Sequence, residues 1–441
     1  MNPEHRTLVR QLRQDVADRL TDRLRADEAA GRPRMGPDDQ RMFGRHLISE
    51  RLEEQAREQL RAGREPLSAD DEIVIGQAIH DALFGLGSLQ PLLEDETIEN
   101  IDANGAAEVW VTRADGTKER GPPIADSDEE LVDSLRMTAA RVGLTERRFD
   151  VGSPSLNVRL PDGSRLFAVM SVTSRVSLSI RRHRFPKVFL DDLVGLGTVD
   201  MALREFLSAA VRARKNLIVC GGVDAGKTTM LRALLNEIDP EERLVTIEDN
   251  LELGLDRYPE LHPDVVALEA REPNVEGEGA VTLANLVRWG LRMNPTRVIV
   301  GEVRGDEVLP MLNAMSQGND GSMCTIHANS SSGAFGKLAM YAVQAPERLP
   351  LEATNLLVGN AIDFVVYIGR ELGGDKMRRY VSSVREVVNA EGAMIQTNEV
   401  FAPGPDRRAI PAAPLRSRTV EQLEYAGFDR SVLNRPEGWW E

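Results

Sequence analysis

This sequence has almost no cysteine: Cys220 and Cys324 are the only two in 441 residues. Two thiols cannot build a disulfide framework, so the chain reads as an intracellular, reduced protein. It lacks any run of 18 apolar residues, and its opening stretch, MNPEHRTLVRQLRQD, has no apolar signal core. The expectation is a protein without a transmembrane segment, neither secreted nor membrane-spanning, whose membrane role, if any, is peripheral. Lysine is scarce, with six residues against 48 arginines. A bias that uniform fits an arginine-rich genome, and it makes each lysine worth inspection. Positive charge as a whole falls short: 54 basic against 70 acidic residues leave a net charge of −16. A nucleic-acid binder held by bulk electrostatics is therefore not expected, and no basic stretch interleaved with aromatics is present. Cys/His metal spacing and a GxSxG elbow are absent as well.

What is present is enough apolar residue for a sizeable core, 41% of the chain, over a length that suits several domains. Residues 1–88 read as a helical N-terminal region. Leu8, Leu12, Val16, Leu20 and Leu24 recur every fourth position, Gly31-Arg32-Pro33 breaks that stripe, and further helices are expected over 38–62 and 68–84. They suit a small bundle or projecting arm, with a coiled-coil partner site as the other reading. Residues 89–185 change to short strand-like runs separated by Asn104-Gly105, Asp115-Gly116 and Asp162-Gly163, with one helix over 128–142. That pattern predicts an α+β domain on an antiparallel sheet. Residues 186–200, led in by Arg184-Phe185-Pro186, read as a linker. Residues 201–400 alternate helix and strand, the rhythm of an α/β domain with a largely parallel sheet, and the proline-rich 401–441 reads as a C-terminal tail.

The strongest motif is Gly221-Gly222-Val223-Asp224-Ala225-Gly226-Lys227-Thr228, which follows an apolar strand and opens a helix at Thr229. Such a loop turns backbone amides toward phosphates at a helix N-terminus that already favours anions. Lys227 is placed to reach the β- and γ-phosphates of ATP, and the Thr228 hydroxyl to hold Mg²⁺. A buried-strand run, 244–249, ends in Glu248 and Asp249, where a carboxylate can orient the attacking water or hold metal through water. A third strand, 297–304, ends in Glu302 beside Arg304 and fits the metal-side carboxylate of a Walker B strand. A fourth closes on His327. Strand C-termini in such sheets face the ligand crevice, which makes Glu248, Glu302, Lys227 and His327 the candidate catalytic group. Cys220 and Cys324 have apolar neighbours and read as small buried hydrophobes.

Taken in order, these four elements resemble the secretion and pilus-assembly ATPases of type II and type IV systems (GspE/PulE-like), and within them the CpaF-like branch that drives tight-adherence (Flp) pili. The family's Walker A loop, Asp box, Walker B strand and His box resemble 221–228, 246–252, 298–304 and 321–330. Leu160–Arg165 and Leu178–Arg182 resemble its N-terminal arginine motifs, and 86–93 the entry to that domain. The resemblance covers about residues 85–370. It implies a RecA-like P-loop core, an N-terminal PAS-like α+β domain, and a homohexamer on the cytoplasmic face of the membrane beneath inner-membrane platform proteins. ATP and Mg²⁺ are the implied cofactors, with nucleotide between the two domains. Two departures stand out. Gln317-Gly318-Asn319 replaces the usual Thr-Gly-His, and Val223-Asp224-Ala225 replaces small Ser, Thr or Gly residues, placing a negative charge near the phosphates. Conjugative DNA transfer and a nucleotide-gated scaffold with negligible turnover stay open beside the pilus or secretion motor.

Arg159, Arg165 and Arg181 complete the expectation. Residues 159 and 165 flank the Asp162-Gly163 turn, so hairpin pairing brings them together, and guanidinium forks suit phosphate oxygens. They are expected to close over the γ-phosphate from the domain opposite the P-loop, the competing use being pairing with Asp150 and Asp162.

Overall fold

The computed structural model describes residues 3–113, 116–142, 148–182, 187–271, 273, 277–373, 376–392 and 394–440. The chain forms two compact units, Met1–Arg184 and Phe185–Glu441. The Asp115 half of one anticipated turn, and the anticipated lead-in at 184–186, lie outside the described residues.

In the first unit, three helices span Pro3–Ala29, Pro37–Arg61 and Ala69–Phe84. Their apolar stripes meet in a small core of Leu12, Val16, Leu47, Ile48, Ile75 and Ile79. The third helix starts where Ser68 Oγ accepts a hydrogen bond from the Asp71 amide at 3.1 Å, satisfying one of the first-turn donors. Six strands follow: β1 (Ile98–Asn104), β2 (Val109–Arg113), β3 (Lys118–Arg120), β4 (Ser155–Arg159), β5 (Arg165–Val169) and β6 (Ser177–Arg181). They form one antiparallel sheet in the order β3-β2-β1-β6-β5-β4. The helix Asp128–Val142 turns Leu131, Leu135 and Ala139 into the core that Ile101, Leu166 and Ile180 supply from the strands.

The second unit carries a nine-stranded sheet: β7 (Leu217–Gly221), β8 (Leu244–Glu248), β9 (Val265–Glu269), β10 (Arg297–Val303), β11 (Met323–His327), β12 (Phe364–Gly373), β13 (Lys376–Glu391), β14 (Met394–Pro403) and β15 (Ala409–Pro411). Its order is β15-β14-β13-β12-β7-β11-β10-β8-β9, and the block from β12 to β9 is parallel throughout. Alternate residues of β7 enter two cores, Leu217 and Val219 on one face, Ile218 and Cys220 on the other. Burial on both faces is why that strand is an unbroken apolar run.

Two segments differ from the sequence expectation. Within 186–200, Leu190–Gly195 is a helix, and Leu190, Leu193 and Val199 are buried in the second unit's core. The proline-rich 401–441 is not a tail in space. Pro403 and Pro411 end β14 and β15, positions where a missing amide costs a sheet little. Phe401, Leu423 and Phe428 are buried, and Phe206 makes edge-on contacts with Phe364, Phe401 and Phe428 at centroid separations of 5.1, 5.3 and 6.0 Å. Phe428→Ala is expected to cost about 3 kcal/mol, the usual loss for a buried phenyl group, and so to lower the melting temperature by roughly 6–12 °C. A melt within a degree of the parent would contradict the packing of this C-terminal segment.

Candidate functional site

Because β7, β8, β10 and β11 run parallel, their C-terminal ends share one edge of the sheet. β7 delivers the glycine-rich loop there. Asp224 and Gly226 both take left-handed backbone conformations, with φ of 55° and 92°, and the helix Lys227–Leu235 begins directly after. Thr228 and Thr229 sit half-buried in its first turn. Val223 and Asp224 are exposed, whereas Ala225 is buried in the core beneath the loop. Gly221, at the strand's end, faces His327 in register on β11.

Lys227 is buried and holds three neighbours. Its Nζ donates to the Gly222 carbonyl at 3.0 Å, approaches His327 Nδ1 at 3.2 Å, and lies 3.9 Å from Glu302 Oε1. His327 Nε2 is 2.6 Å from Glu302 Oε1. A neutral imidazole protonated on Nε2 satisfies both contacts, donating to Glu302 and accepting from Lys227 at Nδ1. Burial lowers the His327 pKa against the pull of Glu302, in keeping with that neutral form. Burial likewise lowers the Lys227 pKa, chiefly against Glu302 and Asp224. Arg304 links the neighbouring acids, at 2.5 Å from Asp249 and 3.6 Å from Glu302.

Glu248 is held differently. It is buried at the end of β8, and its Oε2 accepts the amides of Glu252 at 2.7 Å and Leu253 at 2.8 Å. Its Oε1 is buried with no hydrogen-bond partner among the described residues. Burial pushes the carboxyl up to about 7, against those two amides and Arg232. Gly301 makes room for it: a Cβ there would stand 2.9 Å from Glu248 Cγ. A half-satisfied buried acid with a raised pKa at a strand end is the kind of group that moves a proton or fixes a water. The glycine-rich loop at a helix N-terminus and the buried lysine fit a bound nucleotide polyphosphate. A magnesium ion needs few protein ligands and suits a site with Thr228 and Glu302, and no cluster of three or more metal-type ligands exists among the described residues. Burial pushes the Cys220 thiol up to about 12 and raises that of Cys324, so neither is a nucleophile at neutral pH.

The three arginines lie in the other unit. Arg159 faces Arg165 across the β4–β5 hairpin, and Arg165 faces Arg181 on β6, so they form a row across three strands. Asp150 and Asp162, the competing partners anticipated from the sequence, bond within their own loops. Asp150 accepts the Gly152 and Ser153 amides, and Asp162 accepts the amide and hydroxyl of Ser164. Arg165 and Arg181 have no ion pair among the described residues. Asn319 is a structural turn residue, donating to the Pro295 carbonyl at 2.8 Å while its own carbonyl accepts from Ser322. It precedes β11, at the opposite end of that strand from His327. Two contacts to the loop were not anticipated: Arg379 Nε donates to the Asp224 carbonyl at 2.8 Å, and Arg370 lies 3.9 Å from the Asp224 carboxylate. Their signal lay in register alone, in a hairpin that local pattern did not reveal.

A family model described as type II/IV secretion system protein matches residues 83–393. A Mycobacterium tuberculosis protein named for conjugal transfer is 35% identical over 325 residues, 72% of this chain and 88% of its own. The type IV secretion system protein VirB11 of Brucella suis is 31% identical over 338 residues, 70% of this chain and 91% of its own. Among solved structures, the ATPase DotB of Legionella pneumophila has a TM-score of 0.50 at 17% identity, over 70% of this chain and 81% of DotB, a likeness of fold alone. No described helix is long and apolar enough to cross a membrane.

Proposed function

The chain belongs to the type II/IV secretion system protein family, whose members are ATPases, and on that premise we propose a Mg²⁺-dependent, hexameric ATP-driven motor of the CpaF-like branch. Its task in this reading is tight-adherence (Flp) pilus assembly or protein secretion, performed at the cytoplasmic face of the membrane beneath platform proteins. The observation that carries it is the convergence of Lys227, Glu302, His327 and Glu248 at one edge of the parallel sheet. The amides of 222–229 and Lys227 would hold the phosphates, and Thr228 with Glu302 would hold Mg²⁺, which supplies charge neutralisation at the transferred phosphoryl group. Glu248 orients the attacking water, and His327 keeps Lys227 and Glu302 in one hydrogen-bonded chain.

The relative named for conjugal transfer favours a second reading, a motor of DNA transfer built on the same site. The net charge of −16 argues against direct contact with the nucleic acid.

The pH dependence of turnover tests the role of Glu248. If its ionised form positions the water, kcat rises through an apparent pKa near 7, and that limb disappears in Glu248→Gln. The same shift affects stability with a fixed sign. The folded chain keeps this proton to about 7 and the unfolded chain only to about 4.3, so the stability it confers is lost as pH rises between them. An unchanged pH profile in Glu248→Gln would remove the assignment.

Arg159, Arg165 and Arg181 we take as a γ-phosphate-sensing row. Arg165→Ala is expected to lower turnover roughly tenfold or more, by analogy with arginines that stabilise phosphoryl transfer. ADP affinity should stay near normal, since ADP lacks the phosphate sensed. Equal loss of ADP and ATP binding would rule sensing out.

A further inference from the structure

We propose that the β12–β13 hairpin is a positioning arm for the phosphate loop, acting through Arg379 on the Asp224 backbone and through Arg370 on the Asp224 carboxylate. This rests on the reading of 221–228 as a nucleotide site. Its basis is the way one hairpin backs the loop along its length. At the loop's entry, Gly221 is in register with Ile368 of β12 and so close that a Cβ on it would stand 2.8 Å from the Ile368 carbonyl oxygen. β12 then continues past the end of β7 to Gly373, paired with β13 on its far side, where Arg370 and Arg379 face one another in register. That overhang places both guanidinium groups at the loop's crest. Arg379 Nε donates to the Asp224 carbonyl at 2.8 Å, and its Cδ stands 3.4 Å from where a Cβ on Gly226 would be. The arginine stem therefore lies along the two residues that carry positive φ, the point where the loop reverses.

Asp224 is an unexpected residue beside phosphates, and Arg370 accounts for it. At 3.9 Å, with both groups partly exposed, the pair is weak as a source of stability. It nevertheless offsets a negative charge that would otherwise repel the ligand. Farther along, β13 also meets the segment after His327: Ser331 Oγ is 2.7 Å from Ser383 Oγ and accepts from Arg385 Nε at 3.0 Å, and Arg385 pairs with Glu399 at 2.8 Å. One strand thus braces both the phosphate loop and the chain that follows His327. Arg379 and Arg370 are positioning residues: they touch the loop.

Equilibrium binding of a fluorescent ADP and steady-state ATP turnover on the full chain test this. Arg379→Ala should weaken ADP binding and raise KM about fivefold, the loss expected of one exposed hydrogen bond of ordinary net strength, while kcat stays within twofold. Arg379→Lys, which keeps a cationic donor, should recover most of the loss. Arg370→Ala should weaken binding about two- to threefold, and adding Asp224→Ser should restore it, because the charge being offset is gone. Because the contacts are exposed, the melting temperature should not move. ADP binding and KM unchanged in Arg379→Ala, or a fall in kcat at constant KM, would overturn the proposal. An Arg370→Ala, Asp224→Ser double variant as weak as Arg370→Ala alone would overturn the charge-offset half. A parent chain that binds no ADP would instead overturn the nucleotide reading itself, and this inference with it.

Discussion

Lys227→Ala is expected to leave no measurable ATP turnover and to weaken ATP binding by at least tenfold. Lys227 is the one buried cation among the described residues of the loop, and it reaches Gly222, His327 and Glu302 from a single position. Alanine removes the mobile charge that follows the β- and γ-phosphates through the reaction, and nothing adjacent replaces it. Removal also leaves Glu302 and His327 facing one another without the ammonium, so some loss of local stability accompanies the loss of activity. Lys227→Arg is not a rescue, since a planar guanidinium does not fit where a compact ammonium sits. Turnover within threefold of the parent in Lys227→Ala would sink the assignment of the site.

Glu302→Gln should keep ATP affinity within a few-fold and lower kcat on the order of 10² or more. Glutamine preserves the shape that touches His327, Lys227 and Arg304 but removes the charge that all three face. The phosphate cradle, made by the loop amides and Lys227, is untouched. The loss should therefore appear in kcat and not in KM. A substitution that mainly raised KM would show that Glu302 acts in binding and not at the metal side of the transition state.

The part of this site legible in sequence was the part written locally. An apolar run followed by glycines, lysine and threonine, or ending in an acid or a histidine, records both burial on two faces and a strand end in one short stretch. The row of Arg159 and Arg165 was legible for the same reason, since a short turn around Asp162-Gly163 fixes hairpin register. β13 was not. It reads KMRRYVSSVREVVNAE, with charges in the middle of the strand whose partners lie on other elements. Glu386 is fully buried because Arg416 and Thr419, about thirty positions on, hydrogen-bond to its carboxylate. The proline-rich C-terminal segment misled similarly: Pro403 and Pro411 mark strand ends, and Phe401 and Phe428 find Phe206, some two hundred residues earlier. Arg370 and Arg379 required the hairpin, so their contact with Asp224 had no local trace.

The proposed function requires these four strand ends to form a working hydrolytic site and not a nucleotide-gated scaffold. Steady-state phosphate release by the purified full chain, with ATP and excess Mg²⁺ and again with the metal chelated, tests it most directly. The expected result is saturable, continuing release of phosphate that ceases on chelation and resumes when Mg²⁺ is added back. Tight ATP binding with no phosphate released over many binding lifetimes would contradict it.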